Sequence, residues 1–94
     1  MTTINLKFEK SVTRLAGFPF GQVTYKNQVK EFIKLDGTIY EIVFPYQIEK
    51  VASSFVQGFF EELINSIGYD EIDKIFMIKA SSEKLEKNIK ENIY

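Results

Sequence analysis

Few residues in this chain have the types and spacing that could do chemistry. Ser53 and Ser54 stand together where an apolar 3.6-residue pattern begins, and Gln57 follows one turn later. Ser54 and Gln57 have the Ser-x-x-Gln form of a capping box, which satisfies free N–H groups at a helix start. A serine at that place can also accept a phosphate. The unpaired N–H groups and the helix dipole favour an anion, and the phosphate adds up to about two negative charges. With Ser54 engaged as a cap, Ser53 is the less committed of the two. Nucleophilic serine chemistry lacks its machinery: there is no His to activate the hydroxyl and no Gly-x-Ser-x-Gly elbow.

Absent residue types exclude more. Without Cys there are no disulfides, thiolate nucleophiles or thiolate metal sites. Without His the commonest general base and transition-metal ligand are gone. Asp70, Glu71 and Asp73, and separately Glu61 and Glu62, lack the Asp-x-Asp-x-Asp-Gly spacing of a calcium loop and read as solvated acids. Gly17 and Gly21 are not followed by Gly-Lys-Ser/Thr, so there is no phosphate cradle. The 14 aromatics do not interleave with a basic stretch, and 12 basic against 13 acidic residues give no bulk field for nucleic acid or anionic lipid. No catalytic, cofactor-binding or metal-binding residue is therefore assigned. The expected partner is a protein, and the chain is not expected to be an enzyme.

The elements that must position the serines follow from periodicity. The 94 residues suit one domain, spanning 1–94. Ile4, Leu6 and Phe8 alternate with polar residues as a strand with one buried face. After a turn at Glu9–Ser11, Val12–Ala16 is expected to return as an antiparallel partner. Gly17–Gly21, with Pro19, reads as a loop. Tyr25, Val29, Phe32 and Ile33 repeat at helical spacing, with Thr24 as the N-cap and Gly37 as the stop. Lys26, Lys30 and Lys34 step along another face, either solvated or facing an acidic partner.

Thr38–Phe44 and Ile75–Ile78 are nearly continuous apolar runs and read as strands, the first of them interior and covered on much of both faces. Tyr46–Lys50 connects the first of these to the long helix Val51–Gly68. Along that helix Ala52, Phe55, Val56, Phe59, Phe60, Leu63, Ile64 and Ile67 share one side. Gly58 sits inside it at a propensity cost of about 1 kcal/mol relative to Ala, so a close backbone approach to the sheet or to an aromatic ring is expected there. Tyr69–Asp73 links onward. Ser81 and Ser82 open a last helix, Glu83 to Ile93, with a thin stripe of Leu85, Ile89 and Ile93. The order β(β)αβαβα predicts an α/β fold, a small mixed sheet layered with helices, whose two strand–helix–strand crossovers are parallel.

The segment from about Gly21 to Ile93 resembles the STAS-like domains of unknown function, relatives of the anti-sigma-factor antagonists. The resemblance is carried by the strand Ile39–Phe44, by Ala52-Ser53-Ser54-Phe55 opening a helix, and by Gly58-Phe59-Phe60 with Leu63. It implies a STAS-like fold and a non-catalytic interaction module. In the antagonists a serine at the start of the central helix is phosphorylated by a kinase of the histidine-kinase-like ATPase type; Ser53 or Ser54 holds the matching position. The antagonists place an acidic residue before that serine and a glycine after it, where this chain has Ala52 and Phe55.

The expected function is a STAS-like regulatory module that binds a protein at Ser53, Ser54, Gln57 and the Tyr46–Lys50 segment. The alternative is a small inhibitor or accessory protein, encoded by a phage or other mobile element, that acts by steric binding. Met1–Lys7 has no apolar segment of a signal peptide, and no run approaches the roughly 18 apolar residues of a membrane span, so the expected setting is the cytoplasm; the resemblance implies a bacterial or phage origin. Self-association as a homodimer is open through the C-terminal stripe or an uncovered sheet face.

Overall fold

Alternating burial along three short strands defines the sheet that carries everything else. A computed structural model describes residues 1–93; Tyr94, the last residue of the expected 1–94 domain, lies outside the described residues. The strands β1 (Thr2–Asn5), β3 (Tyr40–Val43) and β5 (Phe76–Lys79) form a parallel sheet in the order β1-β3-β5. Ile4, Ile42 and Ile78 share one row of the register, and Thr3, Glu41 and Met77 the next. The first row is buried. On the second, Thr3 Oγ1 donates to Glu41 Oε1 at 3.2 Å, and Met77 is 46% exposed. The sheet is therefore buried on one face only, and the apolar run at β5 does not mean cover on both sides. β3 is the interior strand, as its composition implies, but Glu41 and Val43 are only partly covered.

Between β1 and β3 the chain forms α1 (Phe18–Gln28), and between β3 and β5 it forms α2 (Ser53–Ile75). Both crossovers return parallel, as expected for strand–helix–strand units. A two-strand parallel ribbon, β2 (Arg14–Leu15) with β4 (Lys50–Val51), stands beside the main sheet. The last helix is α3 (Glu83–Glu91). The architecture is α/β, and every ladder among the described residues is parallel. Among these residues no helix is long and apolar enough to cross a membrane.

Several local expectations fail here, each for a physical reason. Val12–Ala16 does not return antiparallel to β1. Glu49 N donates to Thr13 O at 2.7 Å and Ala52 N to Leu15 O at 2.8 Å, so the segment pairs parallel with a stretch read as mere connector. Gly17–Gly21 is not a loop, because α1 already begins at Phe18 with Pro19 in its first turn. Proline there loses no hydrogen bond, since the first helical N–H groups have no intrahelical partner. Thr24 is not an N-cap but lies in mid-helix, with its hydroxyl donating to Phe20 O at 2.8 Å. Gly37 does not stop this helix, which ends at Gln28 and passes into a 3-10 turn, Lys30–Phe32. Gly68 kinks α2 rather than ending it: at φ 81° and ψ 168° it breaks the helical path, and Tyr69–Ile75 rewinds. The rewinding places Ile72 in the core.

The core is aromatic and is centred on α2. Phe55, Phe59 and Phe60 are fully buried, and their rings continue to β5 and β3 through Phe60–Phe76 at 6.0 Å and Tyr40–Phe76 at 5.4 Å between centroids. Tyr25 joins from α1 with its ring edge-on to Phe59 at 5.8 Å. Phe20 packs edge-on to Phe55 at 5.3 Å and to Phe8 at 5.9 Å while remaining 40% exposed. The α3 stripe of Leu85, Ile89 and Ile93 is buried within this chain, which removes it as a self-association surface. Ser82 caps α3 by accepting from Leu85 N at 3.1 Å. The Glu86 carboxylate accepts from Ala80 N at 3.0 Å, and Lys90 lies 3.7 Å from Asp73.

Tyr40 ties the sheet to the segment after α1. Its buried hydroxyl accepts from Lys34 N at 2.6 Å and donates to Lys34 O at 3.0 Å. Tyr40→Phe removes both bonds but leaves an exposed segment that water can reach. The expected loss is about 1 kcal/mol in urea unfolding, with faster amide exchange at Lys34. An unchanged midpoint would show that the pair contributes nothing.

Candidate functional site

The start of α2 is built from three separate chain segments. Its N-cap is Ala52, at φ −72° and ψ 151°, and no side chain caps it. A capping box needs its serine at that non-helical position. Ser54 is instead the second helical residue, and the Ser54–Gln57 box does not form. The Ser54 hydroxyl, half-buried, accepts a hydrogen bond from Gly17 N at 3.0 Å. It thereby pins the turn before α1 (Gly17 has φ 101°) to the first turn of α2. Ser53, the residue before it, is exposed, and no hydrogen bond engages its hydroxyl among the described residues.

The three residues singled out from sequence do not converge. Ser53 is at the entrance, Ser54 is turned inward to Gly17, and Gln57 lines a different depression with Glu61, Asn65 and Tyr69. The Tyr46–Lys50 segment divides as well. Tyr46 is fully displayed, Ile48 is core, and Glu49 and Lys50 line a groove.

That groove, of about 540 Å³, lies between the β2–β4 ribbon and α3, and Ala52 forms part of its wall. Arg14 comes to it from β2, Lys50 from β4 and Lys84 from α3, with Glu49 as the one carboxylate. None of the three cations enters any of the ion pairs formed among the described residues. The site is an open basic trough suited to an anionic group or an acidic segment. Sequence reading missed Arg14 and Lys84 because they lie about 70 residues apart and no spacing relates them; that Arg14 is the only arginine was the sole available signal.

One titratable group is strongly displaced, and it lies elsewhere. The Tyr25 phenol is pushed up to about 12, first by burial, then by the Glu62 carboxylate and by Tyr40. It faces a small pocket of about 150 Å³ between α1 and α2, beside Gln22, Gly58, Glu61 and Glu62. Burial and a neighbouring carboxylate account for the displacement, and Lys26 lines the same pocket. Asp36 is held below the usual carboxylate range by hydrogen bonds from Thr38, a local turn motif. Among the described residues no group of three or more acids is placed to hold a metal ion.

Comparisons with protein-family models, with curated proteins and with solved structures found no match.

Proposed function

We propose that this chain is a non-catalytic, STAS-like protein-interaction module of the cytoplasm, whose partner surface is the entrance of α2 with the adjoining basic groove. Ser53 is the residue at which a phosphate switches the surface. The observation that carries the reading is the uncapped start of α2, with the free hydroxyl of Ser53 next to Ala52 on the wall of a groove holding Arg14, Lys50 and Lys84. A phosphate on Ser53 finds unpaired N–H groups of the first turn and the positive end of the helix dipole. A kinase of the histidine-kinase-like ATPase type is the donor that the STAS resemblance implies. Ser54 is not the switch in this proposal, because its hydroxyl already holds Gly17.

Two substitutions separate the serines. Ser53→Glu puts a negative charge in the first turn of α2 and is expected to raise stability by about 0.3–1 kcal/mol at low salt. Ser54→Ala strands the Gly17 N–H and is expected to lower it by about 1 kcal/mol. Equal effects from both would contradict the division of roles. For function, the chain is exposed to host lysate with ATP and weighed intact, and captured proteins are compared between wild type and Ser53→Glu. A gain of one phosphate that Ser53→Ala abolishes, with a partner lost or gained in Ser53→Glu, supports the switch. An unmodified chain whose captured partner ignores Ser53→Glu leaves steric binding alone and removes the switch.

A further inference from the structure

Far from the serines, β1 is an edge strand. Thr2 N donates to Ile39 O at 2.8 Å and Leu6 N to Val43 O at 2.9 Å, so the even-numbered residues turn their main-chain groups towards β3. The odd-numbered Thr3, Asn5 and Lys7 turn theirs outward. Lys7 is occupied: the Gln28 side chain accepts from Lys7 N at 2.7 Å and donates to Lys7 O at 2.9 Å, imitating a neighbouring strand. At Thr3 and Asn5 the outward N–H and C=O groups have no partner among the described residues.

Thr2–Asn5 contains no lysine, proline or bulge, so only its shortness limits pairing at this edge. A groove of about 370 Å³ runs along this edge, closed at one end by Gln28 and walled by Ile4 and by Phe32, which is 51% exposed. We infer that the groove binds an extended peptide segment of a partner protein, which adds to the sheet as a fourth strand beside β1. Two donors and two acceptors at Thr3 and Asn5 set its register, and Phe32 selects a β-branched or aromatic side chain at one alternate position. A second copy of the chain is not the occupant. Two four-residue strands paired edge to edge bury far less than the roughly 1,000 Å² expected of a stable interface.

The probe is a phage-displayed library of short random peptides panned on the immobilised full chain. The expected winners alternate β-branched or aromatic residues. A synthetic copy of the best should slow amide exchange at Thr3 and Asn5 by about tenfold or more. Asn5→Pro, which removes one outward N–H while leaving the β3 ladder intact, should weaken that peptide by about tenfold. Phe32→Ala, at an exposed position with no ladder role, should weaken it as well and keeps the test valid if the proline variant misfolds. Three results would overturn the inference. They are no enrichment, a winner that leaves Thr3 and Asn5 exchange unchanged and tolerates Phe32→Ala, or a dimer in sedimentation that Asn5→Pro dissociates.

Discussion

Gly58→Ala will destabilise the fold by about 1–3 kcal/mol or more, against the sign that helix propensity gives. In an isolated helix the same change gains about 1 kcal/mol. Tertiary contact decides the outcome. A methyl at Gly58 would meet the Phe18 carbonyl, with the carbonyl carbon 2.9 Å away. The contact is reciprocal: a methyl at Gly21, on α1, would meet the main chain of α2, with Phe59 N at 2.7 Å. Both obstacles are backbone, so neither can swing aside as a flexible side chain would. Relief requires α1 and α2 to separate, and that loosens the ring contacts of Tyr25 with Phe59 and of Phe20 with Phe55. For a chain of this length each kcal/mol lowers Tm by roughly 4–8 °C. Thermal and urea unfolding of Gly58→Ala, Gly21→Ala and the double variant check this. Because one separation accommodates both methyls, the double variant should lose less than the sum of the two singles. A Gly58→Ala protein as stable as wild type would show that the helices do not cross this closely.

Stability will also fall steeply above pH 10, with Tyr25 as the main cause. Its phenol is raised to about 12 in the fold and has the ordinary value near 10 when unfolded. Between those values the unfolded chain has released the proton while the folded chain keeps it. Unfolding then releases protons, and stability declines as pH rises. The contribution is fully present below pH 10 and lost as pH passes through 10 towards 12. It amounts to about 2–3 kcal/mol when complete. The informative quantity is the difference between wild type and Tyr25→Phe. That difference should be flat below pH 10 and should shrink or reverse above it. Parallel curves from pH 8 to 12 would mean that the Tyr25 ring is not held where burial raises its phenol. Glu62→Gln, which removes the second cause, should leave the onset near pH 10, where the unfolded chain sets it, but make the loss smaller and complete at lower pH, since less ionisation penalty then separates the two states. Glu62 also pairs with Lys30 at 3.0 Å on the surface, a contact that alters stability little at any pH.

Legibility followed the range of the interactions. The α2 stripe is local, and its periodicity identified Phe55, Val56, Phe59, Phe60 and Leu63 as core without knowledge of any partner, although Ile64 and Ile67 of the same stripe are only partly buried and Ala52 is the exposed N-cap. The same holds for β3 and β5 and for the parallel crossovers, whereas the first strand, read at Ile4–Phe8, lies at Thr2–Asn5, and the α3 stripe left its docking partner open. Gly58 was readable as a site of close backbone approach, but not the surface it approaches: that is Phe18 of α1, in a stretch whose two glycines and proline read as a loop. Of its two glycines Gly17 does serve a turn, at φ 101°, but Gly21 serves a helix crossing, and the two uses look alike in one dimension. The candidate site was legible only as a location. Ser53 and Ser54 do stand at a helix entrance, but the capping geometry depends on which residue carries the non-helical dihedrals, and that residue is Ala52.

By itself, then, the sequence determined the apolar faces, the α/β class and the absence of His and Cys chemistry, because these depend on residue type and short-range spacing. Only the tertiary structure decided that β2 pairs with β4, that Ser54 holds Gly17 while Ser53 stays free, and that Arg14, Lys50 and Lys84 line one groove. Each of those depends on main-chain or charged groups brought together across 34 or more residues, where hydrogen-bond direction and backbone approach, rather than hydrophobic spacing, select the partner.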